Sequence, residues 1–330
     1  MIATMSSVNK SPLNLILGVQ SVGDTSADPM ARFYTPEEVN GFLDIFLQRG
    51  YNHLDTSRMY SPNAPGSSEA RLGAAGAGER FIIDTKVMSW AFKHTTDNVL
   101  SEIDASLEAL KIKQINTEFL HIPDRTTPFE EACVAMDQAV KEGKVKKWGL
   151  SNYTAGEVKQ FLDICEARGL VKPSVYEGPY NPIMRGGEKE LFPILRQNGI
   201  DFNAYSPAAS GFFAGNHETA RPGGRFDESL PAGAAWSMIY KKPSIVAAAD
   251  KAVAVASKHG VSGHAAALRW TVYHGILSKE HGDSVIVGAS SREQLQVNLD
   301  IIEQGPLPQE VVSALNAVHE EIGSEVSYHM

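Results

Sequence analysis

The sequence predicts one α/β domain, a (β/α)8 TIM barrel with a long loop over the C-terminal face of its strands. Short apolar runs alternate with amphipathic stretches along 330 residues, and there are eight such runs. Strand–helix alternation with short connections is typical of parallel strands, and eight repeats favour a closed barrel over an open sheet. The length suits one such barrel and no repeat divides the chain, so residues 1–330 are predicted to form a single domain.

Each apolar run has the length of a buried strand. The runs are LNLILGV (13–19), YNHLD (51–55), RFIIDTKV (80–87), TEFLHI (117–122), VKKWGLS (145–151), PSVYEG (173–178), IDFNAYS (200–206) and SVIVGAS (284–290). Helical patterns lie between them, at residues 36–50, 95–112, 127–144, 154–170, 187–199 and 291–302. Several begin with Ser or Thr followed three residues later by Asp or Glu, and several end at Gly, which are common helix start and stop signals.

Two stretches rich in glycine need their own interpretation. Residues 206–243, rich in Gly, Pro, Ala and Arg, are too long for a simple connection, and such a loop is usually functional or mobile. Residues 73–78 (GAAGAG) look like a dinucleotide-binding loop, but that loop follows a strand and begins a helix, whereas this one precedes a predicted strand. We therefore predict a helix that ends in a turn.

Composition limits the classes of partner. A net charge of -9, from 30 Lys and Arg against 39 Asp and Glu, disfavours nucleic acid. The two cysteines, Cys133 and Cys165, form neither a CxxC motif nor a Cys/His metal spacing. The start MIATMSSVNKSP has no apolar signal core and no run reaches membrane-spanning length, so a cytoplasmic protein with no membrane partner is expected.

Polar side chains recur where the predicted strands end. They are Asp55, Lys86, His121, Ser151 and Asn152, Glu177, Tyr205 and Ser206, and residues 288–290. Because the active sites of such barrels form at the C-terminal ends of the strands, these positions predict the site.

Asp55, Tyr60, Lys86 and His121 make chemical sense as one catalytic set. A lysine in a barrel mouth is costly unless it is paired, and Asp55 on the neighbouring strand can supply the pair. The ammonium would favour phenolate, so we predict a pKa for Tyr60 below its reference of about 10. Tyr60 could then donate a proton at neutral pH and take it back in reverse, while His121 orients a carbonyl oxygen.

Two alternatives stay open on the residues alone. His53 and Asp55 with His121 could begin the metal site of a hydrolytic barrel, although the other strand ends offer Lys, Asn, Tyr and Ser instead of further ligands. Lys86 and Asp55 could also form only a buried salt bridge, with His53 a structural, hydrogen-bonded histidine.

Seven stretches carry a resemblance to a known family. They are LDTSRMYSPNAPGSSE (54–69), TKV (85–87), FLHIPDR (119–125), KVKKWGLSN (144–152), YEGPYNP (176–182), AYSPAASGFFAG (204–215) and VIVGASSREQLQVNL (285–299). Together, their DxxxxY, TK, LH and GLSN elements resemble the aldo-keto reductase family, and most of all its branch of aflatoxin-aldehyde reductases. The resemblance extends from about residue 14 to residue 303 in the family's order.

The resemblance implies a barrel that binds NADPH/NADP in extended form without a Rossmann domain. It implies that Tyr60 is the general acid, that Asp55 and Lys86 tune it, and that His121 positions the substrate. The expected activity is NADPH-dependent reduction of an aldehyde or ketone to the alcohol by hydride transfer, with a small carbonyl compound as partner. A homodimer is left open. A catalytically slow NADPH-binding regulatory subunit, which would keep the same fold, is the alternative from another class.

The resemblance also implies which residues contact the cofactor. Those around the nicotinamide would be Ser151, Asn152, Glu177 and Tyr205, with Tyr205 stacked on the ring. Those around the pyrophosphate would be Ser206, Pro207, Ala208, Ser210 and Gly211, with Arg225 in the loop beyond. Those around the adenosine end would be Ser290, Ser291, Arg292, Gln294 and Asn298, of which Arg292 suits a 2′-phosphate.

The sequence departs from the family pattern at two positions. Glu177 stands where the family usually has glutamine, and Val297 stands where many members have a glutamate that reaches the adenine. If ionised, Glu177 is expected to favour the oxidised cofactor, whereas burial would leave it a neutral counterpart of glutamine.

Overall fold

The computed structural model describes residues 11–330, so most of the start on which the cytoplasmic prediction rests, residues 1–10, lies outside it. Eight parallel strands close a barrel in chain order, and β8 is hydrogen-bonded back to β1. The strands are β1 Asn14–Gly18, β2 His53–Asp55, β3 Ile82–Val87, β4 Ile115–Leu120, β5 Val145–Ser151, β6 Val175–Pro179, β7 Asp201–Tyr205 and β8 Ser284–Gly288. Each overlaps one predicted run, which confirms the predicted barrel.

Helices surround the strands. They are α1 Pro36–Gln48, α2 Ser67–Ala74, α3 Thr96–Leu110, α4 Phe129–Lys141, α5 Ala155–Arg168, α6 Gly187–Gln197, α7 Pro231–Tyr240, α8 Pro243–Lys258, α9 Gly263–Tyr273, α10 Arg292–Glu303 and α11 Gln309–Ile322. The predicted helical patterns correspond to α1, α3, α4, α5, α6 and α10. The predicted helix and turn at 73–78 are confirmed as well, because α2 ends at Ala74 and Gly76 then adopts a left-handed φ of 67°.

The capping signals work as predicted. Thr35 and Glu38 form a capping box at the start of α1, and Thr154 and Glu157 form another at the start of α5. Each box satisfies two backbone N–H groups that have no partner inside the helix. These caps fix where two of the helices begin, and so help to set the loops that precede them.

The segment 206–243 is more ordered than its composition suggested. It contains a 3-10 segment at residues 209–214 and the ten-residue helix α7. Pro231 is at the first position of α7, where the fixed φ of proline is compatible with a helix. This proline therefore begins a helix, although we interpreted the prolines of this segment as a sign of a loop. Helices α8, α9 and α11 were not predicted either. Helix α9 is almost entirely buried, so its sequence lacks the polar face by which a surface helix is detected.

One continuous apolar core fills the space between strands and helices. At Gly149 in β5, an added Cβ would lie 2.5 Å from the carbonyl oxygen of Val175 and 2.6 Å from the ring of Phe119, so only glycine fits. Within residues 11–330, no helix has both the length and the apolar character needed to cross a bilayer.

Candidate active site

Two neighbouring strands and the loop after β2 bring the predicted catalytic residues together. Asp55 lies opposite Asp84 in the β2–β3 pair, and Lys86 is two residues further along β3. Because alternate residues of a strand point to the same face, Lys86 and Asp84 share the face that meets Asp55. The loop of residues 56–66 then returns Tyr60 to the same strand ends.

Lys86 is fully buried and lies at the centre of a cluster in which Tyr60 and His121 are only partly buried. Its Nζ donates to Asp55 Oδ1 at 2.5 Å, to the carbonyl oxygen of Thr56 at 2.9 Å and to the hydroxyl of Tyr60 at 3.2 Å. The Tyr60 hydroxyl donates in turn to Asp55 Oδ2 at 3.1 Å. The rings of Tyr60 and His121 meet edge to face, with centroids 5.9 Å apart. The structure therefore brings all four predicted catalytic residues into one cluster.

The predicted direction of the Tyr60 pKa shift is wrong. Burial, followed by the charge of Asp55, raises the pKa of Tyr60 above its ordinary value, and the opposing effect of Lys86 is smaller. The physical reason is that a phenolate at this position would be desolvated and would face the charge of Asp55, and together these two effects outweigh the ammonium of Lys86. Tyr60 therefore carries its proton at neutral pH, which is the form that a proton donor needs.

Glu177 is the carboxyl that the sequence placed against the cofactor. Its Oε1 lies 3.3 Å from Lys86 Nζ, and its Oε2 is buried without a hydrogen-bond partner in the described part of the chain. Burial and the charge of Asp55 raise the pKa of Glu177 well above its ordinary value. Since Asp55 is the closer of the two carboxyls to the ammonium, we assign the ionised carboxylate to Asp55 and the proton to Glu177.

His121 is held by a residue that the sequence did not single out, Ser57. Ser57 Oγ lies 2.9 Å from His121 Nδ1 and accepts from the backbone N–H of Met59, also at 2.9 Å. When Ser57 donates its hydroxyl proton to Nδ1, the proton of the neutral ring lies on Nε2. Burial and the charge of Lys86 lower the pKa of His121 well below its ordinary value, so the ring is a neutral donor.

Asn152 connects the predicted nicotinamide contacts. Its Nδ2 donates to the backbone oxygen of His121 at 2.9 Å and to Ser151 Oγ at 3.0 Å, and its Oδ1 accepts from the Tyr205 hydroxyl at 2.8 Å. Asn152 itself has a left-handed φ of 68°, which is uncommon outside glycine. Ser151, Asn152 and Tyr205 are therefore fixed relative to His121.

The backbone after β7 is strained where the sequence placed the pyrophosphate. Ser206, Ala209 and Ser210 have left-handed φ values of 51°, 52° and 56°, and Gly211 follows at 86°. Pro207 is held by Thr271, whose Oγ1 donates to its carbonyl oxygen at 2.8 Å, and Ala208 is buried. Successive residues of this kind form concave turns that suit anions, and such strain is concentrated at functional sites.

Arg225 reaches the barrel mouth from the long loop. Its guanidinium donates to Gln20, just after β1, at 2.5 Å, and it interacts electrostatically with Tyr60. Burial lowers the pKa of Arg225. A partly buried guanidinium bound to a neutral oxygen is suited to an anion.

The residues predicted at the adenosine end are mostly engaged with protein atoms. Ser291 caps α10, and its Oγ accepts from the backbone N–H of Gln294 at 3.2 Å. Gln294 Oε1 accepts from the backbone N–H and the hydroxyl of Ser290 at 2.9 and 2.8 Å. Asn298 donates to the carbonyl oxygen of Gly288 at 3.1 Å.

Two further contacts complete this end of the site. Asn298 Oδ1 lies 2.8 Å from His264 Nε2, so both polar atoms of Asn298 have partners. Arg292 extends toward α1, where it donates to the carbonyl oxygens of Glu37 and Glu38 at 3.3 and 3.4 Å. The structure brings Ser290, Ser291 and Gln294 together but leaves Arg292 directed toward α1.

The histidines of the alternative metal site have other partners. His53 Nε2 lies 2.8 Å from Asp84 Oδ2, and Asp55 is paired with Lys86. Within residues 11–330, no group of three or more His, Cys, Asp or Glu side chains is placed to hold a metal ion.

The fold is a (β/α)8 barrel, a class whose enzymes have their active sites at the C-terminal ends of the strands, where this cluster lies. A model of the Aldo/keto reductase family matches residues 14–320. The chain therefore belongs to the aldo/keto reductase family and is an oxidoreductase.

Curated relatives agree with this assignment. The chain is 39% identical to aflatoxin B1 aldehyde reductase member 2 of Homo sapiens, over 82% of this chain and 79% of that protein. It is 37% identical to the human aflatoxin B1 aldehyde reductase member 4, over 82% and 85%. It is 36% identical to oxidoreductase sirO of Leptosphaeria maculans, over 92% and 93%. The predicted resemblance is confirmed, including its branch.

Proposed function

We propose that this chain reduces an aldehyde or ketone to the alcohol with NADPH, and that Tyr60 donates the proton. The observation that carries the proposal is the Tyr60 hydroxyl, which is protonated and hydrogen-bonded to both Asp55 and Lys86 at the barrel mouth. Two human relatives bear the name aldehyde reductase, which supports a carbonyl substrate.

The described residues fit a nicotinamide dinucleotide. Within residues 11–330, Glu177 Oε2 is a buried polar atom without a hydrogen-bond partner. The backbone at 206–211 has several left-handed φ values, a conformation that suits an anion, and the Arg225 guanidinium donates to the neutral side-chain oxygen of Gln20. When bound, the cofactor would supply the hydride. Ser151, Asn152, Glu177 and Tyr205 would hold its nicotinamide end, and residues 206–211 with Arg225 its pyrophosphate.

The chain's own residues account for the proton. His121, neutral and with its proton on Nε2, would donate a hydrogen bond to the carbonyl oxygen and orient it. Tyr60 would then transfer its proton to that oxygen as negative charge develops there. Asp55 and Lys86 fix the hydroxyl and stabilise the phenolate that remains.

The test is consumption of NADPH by the purified chain with a simple aromatic aldehyde such as benzaldehyde. We expect aldehyde-dependent loss of NADPH absorbance and formation of the alcohol in equal amounts. Tight NADPH binding without alcohol formation across a panel of aldehydes and ketones would contradict the proposal and favour the slow regulatory subunit. A homodimer stays a prediction, which light scattering of the same preparation checks.

A further inference from the structure

The loop that contains Tyr60 is attached to the barrel through Arg58. The backbone N–H of Arg58 donates to the carbonyl oxygen of Lys86 at 3.0 Å, and the carbonyl oxygen of Arg58 accepts from the backbone N–H of Gly66 at 2.8 Å. Residues 59–65 therefore form a loop that is closed by the hydrogen bond between Gly66 and Arg58. Because Tyr60 lies in this loop, the position of its hydroxyl depends on the position of Arg58.

The side chain of Arg58 joins this loop to two helices and a strand. Its Nη1 donates to Glu69 Oε2 on α2 at 3.0 Å, and its Nε donates to Glu102 Oε2 on α3 at 2.9 Å. The other carboxyl oxygen of Glu69 accepts from Thr85 Oγ1 at 2.6 Å, and Thr85 precedes Lys86 in β3. One guanidinium thus connects the loop of the proton donor to the strand of the lysine that binds it.

Gly66 brings the loop backbone directly against this guanidinium. It has a left-handed φ of 80°, and an added Cβ would lie 2.8 Å from Arg58 Nη1. No larger side chain fits between them without displacing the guanidinium or straining the turn. Movement of the Arg58 side chain would therefore be transmitted to the closing residue of the loop.

The cluster around Arg58 is acidic and mostly buried. Glu69 is fully buried, while Arg58 and Glu102 have side chains that are 18% and 25% exposed. Glu118, opposite Thr85 in β4, is also buried, and neither of its carboxyl oxygens has a hydrogen-bond partner within residues 11–330. Well-packed apolar residues often stabilise a fold as much as buried ion pairs do. The ion pairs of Arg58 are therefore better explained by the geometry that they impose on the loop than by stability.

We propose that Arg58 is a positioning residue for Tyr60, because its guanidinium, bound by Glu69 and Glu102, fixes the loop 59–65 so that the Tyr60 hydroxyl stays at Asp55 and Lys86. This inference rests on the proposed role of Tyr60 as proton donor. Arg58 acts through the loop alone, so its loss reduces the rate of the chemical step and leaves cofactor affinity intact.

The first test compares Arg58→Met with Arg58→Lys in kcat, KM for benzaldehyde, and NADPH affinity measured by quenching of protein fluorescence. We expect kcat of Arg58→Met to fall on the order of 10–100-fold, since small displacements of a catalytic group cost this much. NADPH affinity should stay within about twofold of wild type. A loss of kcat without a loss of binding is typical when an interaction made in the transition state is removed. Arg58→Lys should recover part of the rate, because an ammonium can keep an ion pair with Glu69 or Glu102.

Arg168→Met is the matched control. Arg168 also forms an ion pair with a glutamate of a neighbouring helix, Glu130, but on the outer surface between α5 and α4. Its loss should leave kcat unchanged. If Arg58→Met does not fold, Glu102→Gln takes its place, with a smaller loss of kcat and the same intact NADPH affinity expected.

The decisive test combines Arg58→Met with Tyr60→Phe. If Arg58 acts through Tyr60, the double variant has the same residual rate as Tyr60→Phe alone, because interacting residues are not additive. Multiplied losses, an unchanged kcat in Arg58→Met, or an equal loss of rate and NADPH affinity would each overturn the inference. An active Tyr60→Phe enzyme would instead contradict the proposed function itself.

Discussion

Lys86 Nζ lies 3.3 Å from Glu177 Oε1, so the ammonium that Asp55 binds at 2.5 Å serves two carboxyl groups. Burial alone would lower the pKa of Lys86, but Asp55 and Glu177 together raise it well above its ordinary value, and the ammonium stays charged. One positive charge cannot balance two carboxylates in a buried site, and Glu177 therefore holds a proton.

Glu177→Gln should leave the relative affinity for NADP⁺ and NADPH unchanged near neutral pH. A protonated Glu177 has the size and the neutral charge of glutamine, so it does not act electrostatically on the positive ring of NADP⁺. At high pH the wild-type carboxyl ionises and should favour NADP⁺ by on the order of 1 kcal/mol at an effective dielectric of about 20. Titration of both cofactor forms against both proteins from pH 6 to pH 10 measures this. A ratio that already differs at pH 6 would mean that Glu177 is ionised.

The pH dependence of stability should also change in Glu177→Gln. Because the folded-state pKa of Glu177 is raised, the folded protein binds one more proton than the unfolded chain above the unfolded pKa of about 4.3. Stability is then lost as pH rises from that value through the folded pKa. Glutamine removes this loss, so the gain in Tm over wild type should be larger at pH 8 than at pH 5. An equal gain at both pH values would show that Glu177 does not titrate on unfolding.

Lys86→Met should reduce the rate more than it reduces NADPH affinity. Lys86 lowers the pKa of Tyr60 against the larger opposite effects of burial and Asp55, so its removal raises that pKa further. Alcohol oxidation requires Tyr60 without its proton, and its pH profile should therefore move upward. Rates of alcohol oxidation across pH, with NADPH affinity as control, check this. A normal rate with an unmoved profile would make Lys86 a structural residue.

Arg292→Ala should distinguish NADPH from NADH. Arg292 is directed toward α1, beside the capped start of α10, and a 2′-phosphate would draw it away from its long bonds to Glu37 and Glu38. NADPH affinity should fall on the order of tenfold, as for one charge-assisted hydrogen bond, and NADH affinity should change little. Arg225→Ala is the comparison, since a contact to the pyrophosphate would weaken both cofactors alike. Equal weakening of both by Arg292→Ala would place the 2′-phosphate elsewhere.

The barrel and the proximity of Asp55 and Lys86 could be predicted because their signals are local. Each strand is a short apolar run that ends at a polar residue, and parallel strands bring their ends together whatever the loops do. Asp55 and Lys86 thus followed from strand position alone. The residue types suggested Tyr60 as a proton donor and the family resemblance assigned it as the general acid, but nothing local shows where a loop residue returns.

The remainder depends on contacts between residues distant in sequence. Ser57 contacts the His121 ring across 64 positions, and Arg58 reaches Glu102 across 44. The direction of the Tyr60 pKa shift depends first on burial, which the whole barrel mouth creates, and then on the charge of Asp55. A motif shows which ionisable groups are present, but the direction of their pKa shifts depends on the distances between them and on their burial.

The rate of Tyr60→Phe tests the central claim most directly. The substitution removes only the hydroxyl that Asp55 and Lys86 bind, and it leaves the aromatic ring beside His121. We predict that NADPH-dependent reduction of benzaldehyde falls about 10²–10⁴-fold, the usual contribution of a positioned acid, while NADPH affinity and Tm stay close to wild type. Turnover within a few-fold of wild type, from a folded protein that binds NADPH normally, would show that Tyr60 is not the proton donor.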